Sequence, residues 1–343
     1  MRTDDFNYDL PPGSIAQTPV EPRDSSRLMV CHRDTGIIEH RRFSDLPDYL
    51  TPGDVLVVND SRVLPARLLG HKSGTGGAVE LLLLKRLSLT RWEALVRPGA
   101  RLREGARVEF GGGLLRAVIL DRAPGSARMV EFGWDDAAGT FEQLLDKLGE
   151  TPLPPYIREK LTDPERYQTV YSAKAGSAAA PTAGLHFTNE LLLRIQDKGI
   201  GVARVLLHVG LGTFRPVHSG EVESHEMHSE YYEVTEGAAK LINDARTAGR
   251  RVVCVGTTSV RVTESAAKDG RVAPSSGWTN IYIYPGYSYK IADVIVTNFH
   301  LPKSTLLMLV SAFWSREAVL DAYSVAVKEG YRFYSFGDAM MMI

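Results

Sequence analysis

Two patterns of hydrophobic and polar positions follow one another along the chain. Between about residues 62 and 150, short apolar segments recur, and clusters of Gly, Pro and Ser separate them. From about residue 152 onward, apolar runs such as RVVCVG alternate with amphipathic segments such as ELLLRIQDKG. Closely spaced short strands are typical of a β-barrel or sandwich, whereas alternating strands and helices are typical of a mostly parallel sheet. The pattern therefore predicts a β-module inside an α/β chain.

The α/β part carries clear element boundaries. DVLVVND, from Asp54 to Asp60, predicts a buried strand with polar residues at its carboxyl end. Thr188 is placed to cap a helix that ends at Gly199, and a second helix ends at Gly249. GTTSVR opens a further helix, and ADVIVTNFHLPKSTLLMLVSAF predicts a strand, a polar loop and a helix. A last helix, REAVLDAYSVAVKEG, precedes the apolar end of the chain.

Composition narrows the class of protein. The 343 residues include 40 Lys and Arg against 41 Asp and Glu, for a formal net charge of -1. The two cysteines, Cys31 and Cys254, lie far apart, which excludes a disulfide framework and a multi-cysteine zinc site and suits a reducing compartment. The first residues lack a secretory pattern, and the longest apolar runs are too short to span a bilayer. We therefore expect a cytoplasmic protein that does not engage a membrane.

The charge is unevenly distributed within the β-module. From Arg62 to Arg107 there are ten Lys and Arg residues against three acids, whereas from Val108 to Glu150 eight acids face four bases. An Arg-rich strand region beside Trp92 could hold an RNA backbone, and a solvated surface is the alternative.

Familiar nucleotide and metal motifs are absent from the sequence. Neither a G-x-x-x-x-G-K-[ST] loop nor a G-x-G-x-x-G loop occurs. His218, His225 and His228 have a spacing that could suit a metal, but no cysteine or acidic ligand pattern accompanies them. We predict no metal site and no cofactor.

Four loops carry the candidate chemistry. Each is rich in small and polar residues and adjoins a predicted strand or helix: AAAPTAGLHFT (178–188), LHVGLGTFRPVHSG (207–220), GTTSVR (256–261) and NFHLPKST (298–305). Each loop alone could simply cap a helix, but four together favour a shared cleft beyond the strand ends. His186, His208 and His300 lie in three of them and could carry protons near neutral pH, a structural role being the alternative for each.

At these loops the sequence resembles the S-adenosylmethionine:tRNA ribosyltransferase-isomerases of queuosine biosynthesis. The resemblance extends from residue 6 to residue 340 and rests on long, ordered stretches. They include FNYDLPPGSIAQTP, GDVLVVNDSRVLPARLLG, TPLPPYI, APTAGLHFT, LHVGLGTFRPV, MHSEYYEV, GTTSVR, VTNFHLPKSTLLMLVSAF and YRFYSFGDAM.

The resemblance implies a fold and domain boundaries. It implies an α/β main domain, with a mostly parallel or mixed sheet and flanking helices, and an inserted small β-barrel domain. Combined with the pattern above, this gives a discontinuous α/β catalytic domain over residues 1–61 and 152–343. The inserted barrel then covers residues 62–151 and is the candidate for contact with tRNA, through Arg97, Arg101 and Arg103.

The resemblance also implies a reaction. The ribosyl part of S-adenosylmethionine is transferred and isomerised onto 7-aminomethyl-7-deazaguanine at the wobble position of a tRNA with a GUN anticodon. Epoxyqueuosine-tRNA forms, and adenine and methionine leave. S-adenosylmethionine is then a consumed co-substrate. We expect the protein to act as a monomer.

This chemistry requires at least two proton carriers, because a proton leaves the carbon beside the sulfonium and adenine must be released. His186 and His208 are the first candidates, followed by Asp60 and Glu230. The methionine carboxylate needs an anion site, which either GTTSVR, with Thr257, Thr258 and Arg261, or Lys303-Ser304-Thr305 could supply. The deazaguanine edge offers donors that Asp60 or Asp338 could accept. Together with Asp338, the substrate-binding candidates are Asn59, Arg62, Thr182, Gly210, Gly212, Thr213, Thr257, Thr258, Arg261, Asn298, His300, Lys303, Ser304 and Thr305.

Two other functions remain open at this point. A non-catalytic protein on the same scaffold would bind tRNA or S-adenosylmethionine without releasing adenine. A methyltransferase would need a Gly-rich loop after the first strand, and the sequence has none there.

Overall fold

A computed structural model of the chain describes residues 1–123, 126–210, 217 and 219–343. The chain divides into two compact units. One unit comprises Met1–Arg62 together with Pro155–Ile343, and the other comprises Val63–Pro154.

The described residues form strands, α-helices and short 3-10 turns. In chain order the strands are β1 (Arg27–Cys31), β2 (Ile38–Arg42), β3 (Val55–Asn59), β4 (Ser61–Val63), β5 (Arg67–Lys72), β6 (Ala78–Arg86), β7 (Arg91–Arg97), β8 (Arg107–Phe110), β9 (Leu115–Arg122), β10 (Arg128–Trp134), β11 (Gly149–Glu150), β12 (Lys174–Ser177), β13 (Gly201–Leu207), β14 (Glu230–Val234), β15 (Val252–Val255), β16 (Ala267–Lys268), β17 (Arg271–Val272), β18 (Ser275–Thr279), β19 (Val294–Asn298) and β20 (Ala339–Met342). The α-helices are α1 (Phe141–Leu148), α2 (Asn189–Asp197), α3 (Glu236–Thr247), α4 (Gly256–Ser265), α5 (Thr305–Phe313) and α6 (Arg316–Lys328). The 3-10 turns are Thr3–Phe6, Pro12–Ser14, Arg23–Ser25, Phe43–Tyr49, Gly111–Gly113, Asp136–Ala138, Pro164–Tyr167, Thr182–His186 and Val222–Ser224.

The first unit is built on one mixed sheet with the order β18-β14-β13-β3-β15-β19-β20-β1-β2. Its centre, from β13 through β3 and β15 to β19, is parallel. The flanking strands β14, β18 and β2 pair antiparallel with their neighbours, as does β20 with β19. The hydrophobic pattern predicted a mostly parallel sheet, and the fold class expected from the resemblance allowed a mixed one. The sheet is mixed with a parallel centre, which confirms that fold class.

Both faces of the central strands are covered, which explains their continuous apolar runs. Along β3, Val55 and Val57 belong to one hydrophobic cluster, while Leu56 and Val58 belong to the other. The first cluster includes the buried residues of α3, α4, α5 and α6, and the second includes those of α2. The sheet is therefore a central layer between helices, and its strand ends are free to carry polar residues.

The second unit is a small closed barrel. Its strands pair antiparallel in the order β5-β6-β7-β10-β9-β8, and β8 pairs again with β5, which closes the ring. Alternate residues point into the barrel, as Val79, Leu81 and Leu83 of β6 do. This confirms the predicted fold class of an α/β main domain with an inserted small β-barrel.

Helix α1 was not predicted from the sequence. It lies in the acidic part of the second unit, where the pattern indicated only strands. Thr140 caps it by accepting a hydrogen bond from the Gln143 N–H, and Gln143 bonds back to the Thr140 N–H. Phe141 packs into the barrel core, 5.2 Å from Phe132 between ring centroids. With only eight residues, the helix shows too few periods for its pattern to stand out from a strand.

Within the described part of the chain, no helix is long and apolar enough to cross a membrane.

Candidate active site

A cleft in the first unit opens at the carboxyl ends of β15 and β19, which are adjacent and parallel. Open α/β sheets bind ligands at such a position. All four loops that were predicted to share a cleft contribute to its lining. The lining consists of Tyr156, Ala179–Ala183, Val209, Gly256–Thr258, Thr297–Leu301, Ser304, Leu306, Tyr334 and Ser335.

Six of the predicted site residues meet in this cleft. They are Thr182, Thr257, Thr258, Asn298, His300 and Ser304. Gly256 joins β15 to α4 with a backbone φ of 83°, a conformation that favours glycine. Among the described residues no side chain caps the start of helix α4, and its first residues, Gly256–Thr258, line the cleft.

His186 lies next to the cleft and is held by hydrogen bonds on both ring nitrogens. Nδ1 is 2.8 Å from Ser26 Oγ, and Nε2 is 3.1 Å from Asn298 Nδ2. Phe43 stacks on the imidazole at 4.8 Å between ring centroids. Burial, with Arg332 and Arg23 adding to it, lowers the pKa of His186 to about 3. The ring is therefore neutral at physiological pH and fixed in place.

His300 lines the cleft in a similar state. Its Nε2 is 2.8 Å from Thr297 Oγ1, and its backbone N–H donates to Tyr323 Oη at 3.0 Å. Burial lowers the pKa of His300 to about 3, so this ring is also neutral. Tyr8 donates its hydroxyl to the backbone carbonyl of His300.

Asp60 and His208 form a second group, outside the cleft lining. Asp60 is 7% exposed, and its Oδ1 has no hydrogen-bond partner among the described residues. Burial raises the pKa of Asp60, while Lys174 opposes the shift. Burial lowers the pKa of His208, with Lys174 acting in the same direction. The two candidate proton carriers thus share Lys174 as an electrostatic neighbour.

The ring of His208 occupies space that a glycine leaves open. A Cβ at Gly176 would stand 2.6 Å from that ring. The imidazole stacks on Tyr231 at 6.1 Å between centroids, and its Nδ1 has no partner in the described part of the chain. Tyr231 in turn makes an edge contact with Trp278.

Glu230 and Arg261 form a buried ion pair. Arg261 Nη1 donates to Glu230 Oε2, and the side chains are 6% and 4% exposed respectively. Glu230 Oε1 accepts from the Gly210 N–H at 2.9 Å. Arg261 Nε and Nη2 are buried without a partner among the described residues. The glutamate thus orients a guanidinium that still has donors available.

Several predicted site residues have structural partners instead of facing the cleft. Asn59 Oδ1 accepts from the N–H groups of Leu207 and Ser61 at 3.0 and 3.1 Å. Both carboxylate oxygens of Asp338 accept backbone N–H groups, at 2.9 and 2.8 Å. Burial raises the pKa of Asp338. Arg62 pairs with Glu165.

The Lys303-Ser304-Thr305 segment is used mostly for local structure. Lys303 Nζ pairs with Asp4 at 2.7 Å. Ser304 caps α5 by accepting from the Leu307 N–H at 3.2 Å, and Thr305 is the first residue of that helix. Gly212, Thr213 and His218 lie outside the described residues, so their predicted roles stay predictions.

The predicted RNA contacts lie in the second unit. Arg101 and Arg103 line a groove of about 940 Å³ that also contains Lys72 and Arg107. Arg97 ends β7 and is exposed. Within the described residues, none of Arg97, Arg101 and Arg103 forms an ion pair.

Some site residues were not singled out from the sequence. Ser26 holds His186, while Tyr156 Oη lies 2.7 Å from Ser335 Oγ at the edge of the cleft. Tyr156, Tyr334 and Ser335 occur within TPLPPYI and YRFYSFGDAM, two of the stretches that carry the family resemblance. Their position within these stretches is the sequence signal that could have identified them as site residues. In the described ranges, no group of three or more His, Cys, Asp or Glu is arranged to hold a metal ion.

The fold and the cleft define an α/β protein with a cleft at the carboxyl ends of its strands and an inserted barrel. The chain belongs to the queuosine biosynthesis protein family, which it matches over residues 3–342. It is 59% identical over 344 residues to proteins of Moorella thermoacetica and Desulfitobacterium hafniense named S-adenosylmethionine:tRNA ribosyltransferase-isomerase, with complete coverage of both chains in each case.

A solved structure is also similar. The crystal structure of S-adenosylmethionine tRNA ribosyltransferase from Thermotoga maritima is 40% identical, with a TM-score of 0.57. The match covers 99% of this chain and 100% of that one.

Proposed function

We propose that this protein is an S-adenosylmethionine:tRNA ribosyltransferase-isomerase. It transfers and isomerises the ribosyl moiety of S-adenosylmethionine onto 7-aminomethyl-7-deazaguanine at the wobble position of tRNA. Epoxyqueuosine-tRNA forms, and adenine and methionine are released. The observation that carries this proposal is the 59% identity over complete chains with relatives of that name.

The reaction needs groups that exchange protons. The sulfonium acidifies the neighbouring 5′-carbon, so a base must remove that proton, and an acid helps adenine to leave. The surroundings of Asp60 and His208 support these roles, because Asp60 Oδ1 and His208 Nδ1 have no partner among the described residues. Their pKa values are shifted toward each other, upward for Asp60 and downward for His208. Shifted pKa values of titratable groups are common at functional sites.

His186 supports the reaction in a different way. Both of its nitrogens are engaged by Ser26 and Asn298, and its pKa of about 3 keeps the ring neutral. A histidine in this state is better suited to positioning its neighbours than to removing a proton. We therefore assign His186 a positioning role and place Asp60 and His208 first as proton carriers.

The amino-acid part of S-adenosylmethionine carries a carboxylate that needs donors. Arg261 offers two buried N–H donors, on Nε and Nη2, that have no partner in the described part of the chain. Glu230 holds the guanidinium in position. We assign Arg261 to the carboxylate and Glu230 to its orientation.

The inserted barrel is proposed to contact the tRNA. Arg101, Arg103 and Arg107 line one groove with Lys72, and phosphate groups of RNA bind such a cluster of cations. The tRNA carries a GUN anticodon with the modified base, and the protein acts as a monomer in the cytoplasm. S-adenosylmethionine is consumed as a co-substrate.

One experiment tests the proposal and separates its rivals. The protein is incubated with S-adenosylmethionine labelled separately in the ribose and the methyl group, together with precursor tRNA. The proposal expects ribose label in the tRNA and one adenine released for each ribosyl group transferred. Methyl label in the tRNA would instead indicate a methyltransferase, and binding without release of adenine would indicate a non-catalytic protein.

A further inference from the structure

The side-chain amide of Asn298 has only one orientation that its neighbours allow. Nδ2 lies 3.0 Å from the backbone carbonyl of Tyr334 and 3.1 Å from His186 Nε2. A backbone carbonyl can only accept a hydrogen bond, so the NH₂ group must face Tyr334. The amide oxygen is therefore on the opposite branch of the side chain.

The same geometry determines the tautomer of His186. Because Asn298 Nδ2 donates to Nε2, the ring proton must be on Nδ1, where it is donated to Ser26 Oγ at 2.8 Å. The pKa of about 3 keeps the ring from gaining a second proton that would face the amide NH₂. Both N–H bonds of the Asn298 amide are therefore used, one by the Tyr334 carbonyl and the other by His186 Nε2. The hydrogen bond from His186 Nδ1 to Ser26 keeps Nε2 free to accept.

What remains of the Asn298 amide is one acceptor, its Oδ1. Asn298 lines the cleft and is 2% exposed, and its Oδ1 has no hydrogen-bond partner among the described residues. Buried polar atoms in native proteins rarely lack a partner. An acceptor that the described residues leave unpaired, on a residue of the cleft wall, indicates a donor on the ligand.

The other residues of the cleft lining indicate which kind of hydrogen-bond donor the ligand carries. Its lining contains no Asp, Glu, Lys or Arg side chain among the described residues, and His300 is neutral. The walls are apolar, with Ala183, Phe299 and Leu301 among them, or carry hydroxyl groups. An uncharged planar heterocycle suits such a site better than an ammonium group would, since a buried cation needs a charged partner.

We propose that Asn298 Oδ1 accepts a hydrogen bond from the exocyclic amino group of the adenine moiety of S-adenosylmethionine. This inference rests on the proposed function, which makes S-adenosylmethionine the substrate. Adenine is the uncharged planar heterocycle of that molecule, and its 6-amino group is a neutral N–H donor. Because both N–H bonds of Asn298 are already used, the residue selects a 6-amino purine and rejects a 6-oxo purine.

The test compares S-adenosylmethionine with its 6-oxo analogue, S-inosylmethionine, by calorimetric titration of the full chain. Wild-type protein is expected to prefer the 6-amino compound by about tenfold or more, because the oxo group places one acceptor against another. Asn298→Ala is expected to bind both compounds within about twofold of each other, since it lacks the acceptor.

Asn243→Ala is the matched control. Among the described residues that amide bonds only to the backbone of Val272, and it lies outside the cleft lining, so the tenfold preference is expected to persist. A wild-type protein that binds both compounds equally overturns the inference even if Asn298→Ala fails to fold. A preference that survives in folded Asn298→Ala also overturns it. In both cases wild-type protein that still transfers the ribosyl group leaves the proposed function standing, whereas wild-type protein that neither binds S-adenosylmethionine nor releases adenine contradicts the proposed function itself.

Discussion

Arg261 on helix α4 and Glu230 on strand β14 form an ion pair that is almost completely shielded from solvent. The two residues are 31 positions apart, and the carboxylate also accepts a backbone N–H from Gly210. Removing one partner of such a pair leaves an uncompensated buried charge, which costs more than the pair itself contributes. The same ion pair therefore both stabilises the site and holds the Arg261 guanidinium in its orientation.

The first prediction concerns this pair. Glu230→Gln is expected to lower the free energy of unfolding by about 3–5 kcal/mol, because Arg261 keeps its charge and loses its partner. Urea denaturation measures the change. Glu233→Gln on the same strand is the control, since Glu233 pairs with Lys174 at a more exposed position and its loss is expected to cost about 0–1 kcal/mol. Equal effects of the two substitutions would contradict the prediction.

The second prediction concerns the pH dependence of stability. The folded-state pKa of His300 is about 3, against an ordinary value of 6.5, so the folded state binds its proton less readily than the unfolded state. The stabilisation from the neutral ring is complete above about pH 6.5 and is lost as the pH falls toward 3. His186 acts in the same direction.

Each of these histidines contributes up to about 1.4 kcal/mol per pH unit to the slope of the unfolding free energy. His300→Gln is expected to reduce that slope between pH 5 and pH 6 by about one histidine's share, as measured by urea denaturation. Thr297→Val removes the hydrogen bond to His300 but no titrating group, so it is expected to lower stability while retaining the slope. A slope that is the same in wild-type protein and His300→Gln would show that the ring does not stay neutral.

The third prediction concerns proton transfer. Asp60→Asn is expected to slow adenine release by about 10²–10⁴-fold, because the amide cannot exchange a proton. Binding of S-adenosylmethionine should change little, because the amide has nearly the same size and shape as the carboxyl group. Burial raises the pKa of Asp60, so its limb of the pH–rate profile should lie above the ordinary aspartate range and disappear in the variant.

Single-turnover release of adenine, followed from pH 4 to pH 9, measures this effect. Asp48→Asn, at an exposed position in the same unit, is the control and should match wild-type protein. If Asp60→Asn turned over at close to the wild-type rate, another group would have to be the proton carrier.

The fourth prediction concerns tRNA. Replacing Arg97, Arg101 and Arg103 together by Ala is expected to weaken tRNA binding and to lower the slope of log affinity against log salt by about 2–3, because up to three phosphate contacts are lost. Filter binding at several salt concentrations measures the slope. The matched control replaces Arg116, Arg122 and Arg128, which are on the same barrel but outside the groove lining. If the two triple variants had equal slopes, the tRNA would have to bind a different surface of the protein.

The predicted elements succeeded where the signal is local. Thr188 was predicted as a helix cap, and its Oγ1 accepts the Leu191 N–H at 3.0 Å. A cap depends on residues three positions apart, so the sequence records it directly. The pairing of β14 with β18 at the edge of the sheet depends on chain segments 41 to 49 residues apart, and no periodicity records that relationship.

The candidate site was predictable only as a set of loops. Gly, Thr, Ser and His residues beside strand ends indicated a cleft, because strand ends in a parallel sheet meet at one edge. The same signal could not distinguish cleft residues from Asn59 and Asp338, whose polar atoms are used by backbone N–H groups. The same polar residue types occur in the cleft and in structural positions. Only their hydrogen-bond partners in the folded protein distinguish the two roles.

The sequence by itself determined the two kinds of domain, the main helices of the α/β unit and the family, because hydrophobic periodicity, helix caps and long motifs are properties of neighbouring residues. Tertiary structure alone decided what the polar residues do. Ser26 and Asn298 meet His186 from 160 and 112 positions away, and together they set the tautomer of the ring and the orientation of the amide. Hydrogen bonds act over about 3 Å and depend on direction, so they exist only once the packed sheet brings these segments together.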